Sequence, residues 1–427
     1  IFFTVIISIV FSYLFFKQFP TFFEVNSFKI IPSKLPFGYG NLLNNLFENG
    51  TYMNTENFLL VKGKEIITSY DIDFVLKKLP LFSLLLFYLI SISKNIFFLI
   101  ITKNILFFSL FFFVSYYSLK SLNMKIYQFL LIILFFLIIP YNLKTFSEIS
   151  YADSISSILI ACLYLLCISK IKFKSYLIGL ALFFLYLTKE SMFAICIFVP
   201  LLIIYFDFKN EKFNSLVPTL FIILSITAWG IYGVIKTDKF PFGQSISTWK
   251  SYDMSKSISE DFKKYYPKYS TDNLDSNRID KKLNSEWEFY EYFKKKNIEK
   301  IKSEPNTIFE NLLLKMKFLM FNLYPDGISY NKIISFDILF ILTNIINKIS
   351  IYLALSLSLL IMLSKKYNFG EIEKYFLIIF LLNISTHLVG WFTTKHLVGI
   401  SLISFIFLVI RMPFIFSILN EKYKKNV

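Results

Sequence analysis

Along the 427 residues, long stretches of Ile, Leu and Phe alternate with short lysine-bearing turns, and two extended polar segments, 17–80 and 236–334, interrupt them. A helix crossing about 30 Å of hydrocarbon takes roughly 20 residues. The apolar runs at 1–16, 99–118, 127–141, 154–169, 176–188, 190–206, 215–235, 335–363, 375–391 and 396–412 therefore predict about ten spans, the shorter ones tilted or interrupted. The first run reads as a span rather than a signal peptide, because no small-residue cleavage site follows Phe16. The start at Ile1, inside an apolar stretch and without a Met, leads us to expect that the true N-terminus has been lost.

Lysines set the expected orientation. Lys120 and Lys125, then Lys170, Lys172 and Lys174, then Lys209 and Lys212, then Lys365 and Lys366 recur at every second turn, and such turns are cytoplasmic. The apolar stretch 81–93 does not fit as a crossing, since it would put those turns outside. It reads as a re-entrant or juxtamembrane helix on the outer face, tolerated where it packs on protein or lines a cavity. The chain thus divides into a transmembrane core, 1–235, that includes the first outer loop (17–80), a large outer helical loop, 236–334, and C-terminal helices with a basic cytoplasmic tail, 335–427. Inside the large loop, an amphipathic pattern from Glu286 to Ile301, a break at Pro305 and a second stripe of Leu312, Leu313, Met316, Leu319 and Met320 predict two helices.

Composition agrees with this pattern: 56% of positions are apolar and 53 are Phe, more than a soluble core holds. The net charge of +16 lies at span ends and in loops, which points to positive-inside topology and lipid headgroups as partners, not to nucleic acid. Cys162, Cys167 and Cys196 fall inside apolar runs without metal spacing and read as core residues.

One line carries a resemblance. Lys78-Leu79-Pro80-Leu81-Phe82-Ser83-Leu84-Leu85-Leu86 resembles the Arg/Lys-x-Pro-Leu-Tyr-Pro-Leu-Leu-Leu element of integral-membrane glycosyltransferases that use polyprenyl-phosphate sugars, the family of protein mannosyltransferases and lipid A aminoarabinose transferases. In the same order as in that family come Tyr39 and Leu42-Leu43 with Gly50-Thr51-Tyr52, then Thr102-Lys103-Asn104, Glu148 to Ser154, Gly179 to Lys189, and Ile298 to Lys317. The resemblance implies an all-α, polytopic fold of the GT-C type. It also implies inverting transfer of one sugar from a lipid-phosphate donor to a glycan, lipid or protein acceptor, in the cell's inner (plasma) membrane with the site on the extracytoplasmic face. The alternative is a non-catalytic membrane protein, such as a transporter or flippase of lipid-linked glycan or an inactive relative.

Such a transfer needs a carboxylate near the anomeric centre and cations for the departing phosphate. The family carries an Asp shortly before the first-loop Tyr, but here Leu35-Pro36-Phe37-Gly38 precede Tyr39, so the acid is sought in Asp153, Glu148 or the pair Asp71 and Asp73. Asp153 serves equally as the N-cap of a helix beginning at Ser154, and Glu148 as an ordinary solvated loop residue. Asp71-x-Asp73 stands in for the missing acid, binds a divalent metal, or belongs to an ordinary polar loop. Lys78, Lys103, Lys189 and Lys395 are the phosphate candidates, each otherwise an interfacial lysine snorkelling to headgroups. His396 beside Lys395 is a phosphate contact or a belt histidine. Lys189-Glu190, two charges at the apex of an apolar hairpin, must be paired or used.

Overall fold

A computed structural model describes residues 6, 30–35, 38–63, 65–138, 152–207, 212–241, 249–250, 278–321, 337–364, 369–389 and 397–425. Among these the chain is mostly helical. In chain order the elements are α1 (Tyr39–Asn49), β1 (Asn54–Lys62), β2 (Glu65–Phe74), α2 (Pro80–Ile92), α3 (Ile96–Ser121), α4 (Ile126–Ile138), α5 (Ala152–Ile168), α6 (Lys174–Tyr186), α7 (Phe193–Asp207) and α8 (Lys212–Thr237). Then follow β3 (Arg278–Ile279), α9 (Glu286–Ser303), α10 (Pro305–Phe321), α11 (Asp337–Leu363), α12 (Glu371–Val389) and α13 (Leu397–Lys425). Among the described residues, five helices are long and apolar enough to cross a membrane, within 96–121, 213–237, 345–363, 371–389 and 397–417, and five shorter apolar helices accompany them.

The centre of the bundle is α5, all 17 residues of which are buried. It packs against α3, α6, α12 and α13. A helix apolar all round with Ser154, Ser156, Ser157 and Ala161 on its surface lets neighbours come close, as small residues do in membrane bundles. Gly399 of α13 uses that space: a Cβ there would sit 3.2 Å from Ile160 and 3.6 Å from the Ser157 backbone.

Two ends can be told apart. At one, the amide of Lys170 after α5 donates to Ser121 Oγ at the end of α3 (3.1 Å), and Tyr164 Oη donates to the Ile372 carbonyl at the start of α12 (3.4 Å). Lys120, Lys125, Lys172 and Lys174 belong to the turns of this end. At the other end lies a small sheet, ordered β2-β1-β3. The sequence reading expected no strand there. β1 and β2 form an antiparallel hairpin through Gly63 (φ +64°), and β1 pairs in parallel with β3, Leu59 with Arg278 and Leu60 with Ile279. Segments some 200 residues apart in sequence, expected as separate outer loops, thus share one sheet. Phe58 and Phe74 of its buried face pack on Phe289 of α9, with ring centroids 5.6 and 5.0 Å apart.

Helix α2 starts under the sheet with Pro80 in its first turn, where a missing N–H costs nothing. Its 13 residues span only about 20 Å, and α3, capped by Asn95 Oδ1 on the amides of Phe97 and Phe98, then makes the full passage to the far end.

At the far end, the guanidinium of Arg411 (α13) is ion-paired to Glu373 (α12), whose side chain is fully buried and whose other oxygen accepts the Gly370 amide at 3.1 Å. Removing one partner of a buried pair typically costs about 3–5 kcal/mol, because the other charge is stranded. Arg411→Met should therefore lower the thermal midpoint of the purified protein sharply. Adding Glu373→Gln should recover much of that loss, and calorimetry of the two variants in one detergent checks it.

Candidate functional site

Below the sheet, four chain segments meet. The ammonium of Lys189, in the turn after α6, is ion-paired to the carboxylate of Asp153 in the first turn of α5. This corrects the capping reading of Asp153: the helix begins at Ala152, and the carboxylate is directed to Lys189. Position in the first turn still favours an acid through the helix dipole. The carbonyl of Leu187, two residues before Lys189, accepts the Leu81 amide at 3.1 Å, which fixes the start of α2 to the same turn.

Lys78 enters from the other side. Its ammonium lies 5.1 Å from the centre of the Tyr39 ring, and its carbonyl accepts the Tyr52 hydroxyl at 2.8 Å. Desolvation pulls the Lys78 ammonium below the ordinary lysine range, while Glu190 and Asp153 oppose the shift. Burial, together with Glu190 and Asp153, raises the Tyr39 phenol well above its usual value. Asp153, Lys189, Glu190, Lys78 and Tyr39 therefore feel one another's charge although they come from four places in the chain.

The sheet adds charges that the loop reading did not separate. Residues directly opposite in an antiparallel pair point to one face. Thr55 with Asp73 and Asn57 with Asp71 lie on the exposed face, and Asn54 with Phe74 and Glu56 with Ile72 on the other. Asp73 accepts Thr55 Oγ1 at 2.6 Å and Asp71 accepts Asn57 Nδ2 at 2.9 Å, so both are engaged in a solvent-side ladder and are not turned toward Lys78. Glu56, on the inner face, is ion-paired to Lys77. The alternation along Asn54–Lys62 is its trace in the sequence, blurred by the apolar run Leu59-Leu60-Val61.

Glu286 of α9 was missed as well. One of its carboxylate oxygens accepts the amides of Val75 (3.0 Å) and Leu76 (3.1 Å), and so holds the strand leading into Lys77 and Lys78. Burial raises its carboxyl above the usual range, and the two N–H donors counter this. Lys250 lies 4.9 Å from the Phe58 ring centre and 5.5 Å from that of Phe289. Desolvation lowers it to about 8, and Lys77 is lowered well below the usual lysine range by its own burial and, beyond that, by the charges of Lys250 and Lys78.

Lys103 is buried on α3, 1% exposed. Because α3 and α5 run in the same direction and meet at Ser121 and Lys170, equal rise per residue puts Lys103 at about the height of Asp153. Glu148, Lys395 and His396 lie outside the described residues. Among the described residues no group of three or more His, Cys, Asp or Glu is arranged to hold a metal ion. Cys162, Cys167 and Cys196 are buried and unbridged. Compared with protein-family models, with curated proteins and with solved structures, the chain matches none.

Two outcomes follow from this geometry. Lys189→Met strands a buried carboxylate and should destabilise by about 3–5 kcal/mol, with Asp153→Asn added restoring part of it; thermal unfolding of single and double variants measures both. For Lys250, the folded state holds the proton less tightly than the unfolded chain, so between about 8 and its ordinary value the unfolded state binds more protons and stability rises with pH. Wild type should gain on Lys250→Met as unfolding is measured from about pH 8 to about pH 10.

Proposed function

We propose that this chain is a glycosyltransferase of the GT-C type, with about ten spans, that moves a single sugar from a polyprenyl-phosphate donor to an acceptor on the extracytoplasmic face. The observation that carries the reading is the convergence of Asp153, Lys189 and Lys78 beneath the sheet, where the chain enters the short helix α2. The lysines of the opposite end support the orientation, since basic turns stay in the cytoplasm.

In this reading the donor's lipid tail lies in the bilayer and its phosphate meets Lys78, with Lys103 at the same height. Asp153, oriented by Lys189, takes the proton of the acceptor hydroxyl. The acceptor oxygen attacks the anomeric carbon from the face opposite the phosphate, the bond from that carbon to the phosphate oxygen breaks, and its electron pair leaves with the polyprenyl phosphate. Negative charge on the phosphate grows as the bond breaks, so a cation there stabilises the transition state more than the bound donor. No step needs a cofactor beyond the donor, and a divalent metal at the phosphate remains compatible with it. The engagement of Asp153 by Lys189 also suits a second reading, a non-catalytic membrane protein in which the pair only locks α5 to α6.

The test is transfer of labelled sugar from polyprenyl-phosphate donors by the protein in proteoliposomes. Asp153→Asn keeps a hydrogen-bond acceptor for Lys189 but removes the base, and should cost about 10²- to 10⁴-fold in rate at unchanged expression. Lys78→Ala should weaken donor binding. Full activity in Asp153→Asn, or no transfer by wild type from any such donor, would favour the non-catalytic reading.

A further inference from the structure

At Pro305 the outward surface of the second polar segment changes character. On α9 it is charged: Lys295 and Glu299, one turn apart, pair at 4.0 Å with both side chains largely exposed. On α10 it is apolar. Phe309, Leu313 and Met316 are 61%, 50% and 46% exposed, and residues spaced four and three apart fall on one stripe of a helix. Asn306, Glu310 and Lys317, also exposed, lie along one flank of that stripe. The other side of α10 is docked: Leu314 and Lys315 are buried, and Lys315 Nζ donates to the Leu388 carbonyl at 2.9 Å.

That hydrogen bond sets the depth of α10. Helix α12 begins at Glu371, next to the far-end pair of Glu373 and Arg411, and ends at Val389, so Leu388 lies at the sheet-side end of a helix long enough to span the membrane. Up to that level α12 turns apolar side chains outward, with Leu381 58% and Val389 50% exposed. A helix is about 10–12 Å across. The stripe on the side of α10 away from Leu388 therefore stays near the level at which the span ends.

We propose that α10 lies in the plane of the membrane surface on the sheet side, with Phe309, Leu313 and Met316 seated in the acyl region of that leaflet. Asn306, Glu310 and Lys317 then face the headgroups and water. Bilayer lipid is the occupant that fits, because a helix lying in the interface needs an apolar stripe bordered by a polar one. Large apolar side chains gathered on an exposed face mark a protein or membrane contact, and α10 is held at the end of a span. The junction at Glu304 and Pro305 joins α10 to α9, whose Glu286 holds the strand leading into Lys77 and Lys78. A seated α10 thus supports the site from the bilayer, whether or not the chain transfers sugar.

The experiment places single spin labels on the full chain in proteoliposomes, through Phe309→Cys, Leu313→Cys, Met316→Cys, Asn306→Cys, Glu310→Cys and, on α9, Lys295→Cys and Glu299→Cys. The unmodified chain, whose Cys162, Cys167 and Cys196 are buried, gives the labelling background. Collision with oxygen, which concentrates in lipid, is compared with collision with a water-soluble nickel chelate. The ratio should be several-fold higher at 309, 313 and 316 than at 295 and 299, with 306 and 310 between, and the three labels should lie about 5–10 Å into the headgroup and acyl boundary. Nickel collision at 309, 313 and 316 equal to that at 295 and 299 would overturn the proposal. So would shielding from both reagents with spin–spin broadening, which would put a second copy on the stripe. A lipid-dissolved diazirine applied to the unsubstituted chain should modify 305–317 and spare 286–299. Failure to modify 305–317 would overturn the proposal without recourse to any variant.

Discussion

A charge pair at the top of a wholly buried helix is the constraint on which the arrangement depends. Asp153 cannot stay ionised in an apolar interior without a counter-charge, and Lys189 supplies it from the turn after α6. That turn must therefore lie beside the start of α5, and its Leu187 carbonyl in turn fixes the first residues of α2. Lys78, two residues before α2, is then delivered into the field of Asp153 and Glu190. One electrostatic requirement thus aligns three helices and the segment that enters them.

The sheet answers a different requirement. A first loop made only of polar coil would leave its backbone groups to water and could hold no side chain in place. Pairing β1 with β2 and with β3 satisfies those groups and joins segments that are distant in sequence, and Phe58, Phe74 and Phe289 seal the joint. Glu286 ties the strand before Lys77 to α9 through two backbone amides. The inner face of β1 thereby carries Asn54 and Glu56 beside Gly38.

The two ends of the bundle use charge differently. At the far end, Glu373 and Arg411 close on one another and on the Gly370 amide, a satisfied pair between two helices. Beneath the sheet, cations and acids from several segments crowd together, and desolvation shifts Lys77, Lys78 and Lys250 in the same direction. Burial of several charges in one place is the environment that shifts pKa values, and both catalytic sites and structural ion-pair networks supply it.

The sequence by itself determined the helices, since runs of Ile, Leu and Phe long enough to span hydrocarbon leave few other structures open to the backbone. It set 81–93 apart as a helix that does not cross, because a crossing there would put the lysine-bearing turns outside, and α2 covers Pro80–Ile92. It also marked Asp153, Lys78 and Lys189 as charges needing an explanation. What it could not provide was partnership. The alternation along Asn54–Lys62 is blurred by Leu59, Leu60 and Val61, so the strand, and with it the inward turn of Glu56 and the outward turn of Asp71 and Asp73, emerged only from pairing with residues 65–74 and 278–279. The same holds for Glu286, whose role exists only because α9 docks beside Val75 and Leu76. Local hydrophobic period is written in neighbouring residues, but which charges meet depends on contacts between segments some 200 positions apart, and only the tertiary structure decides those.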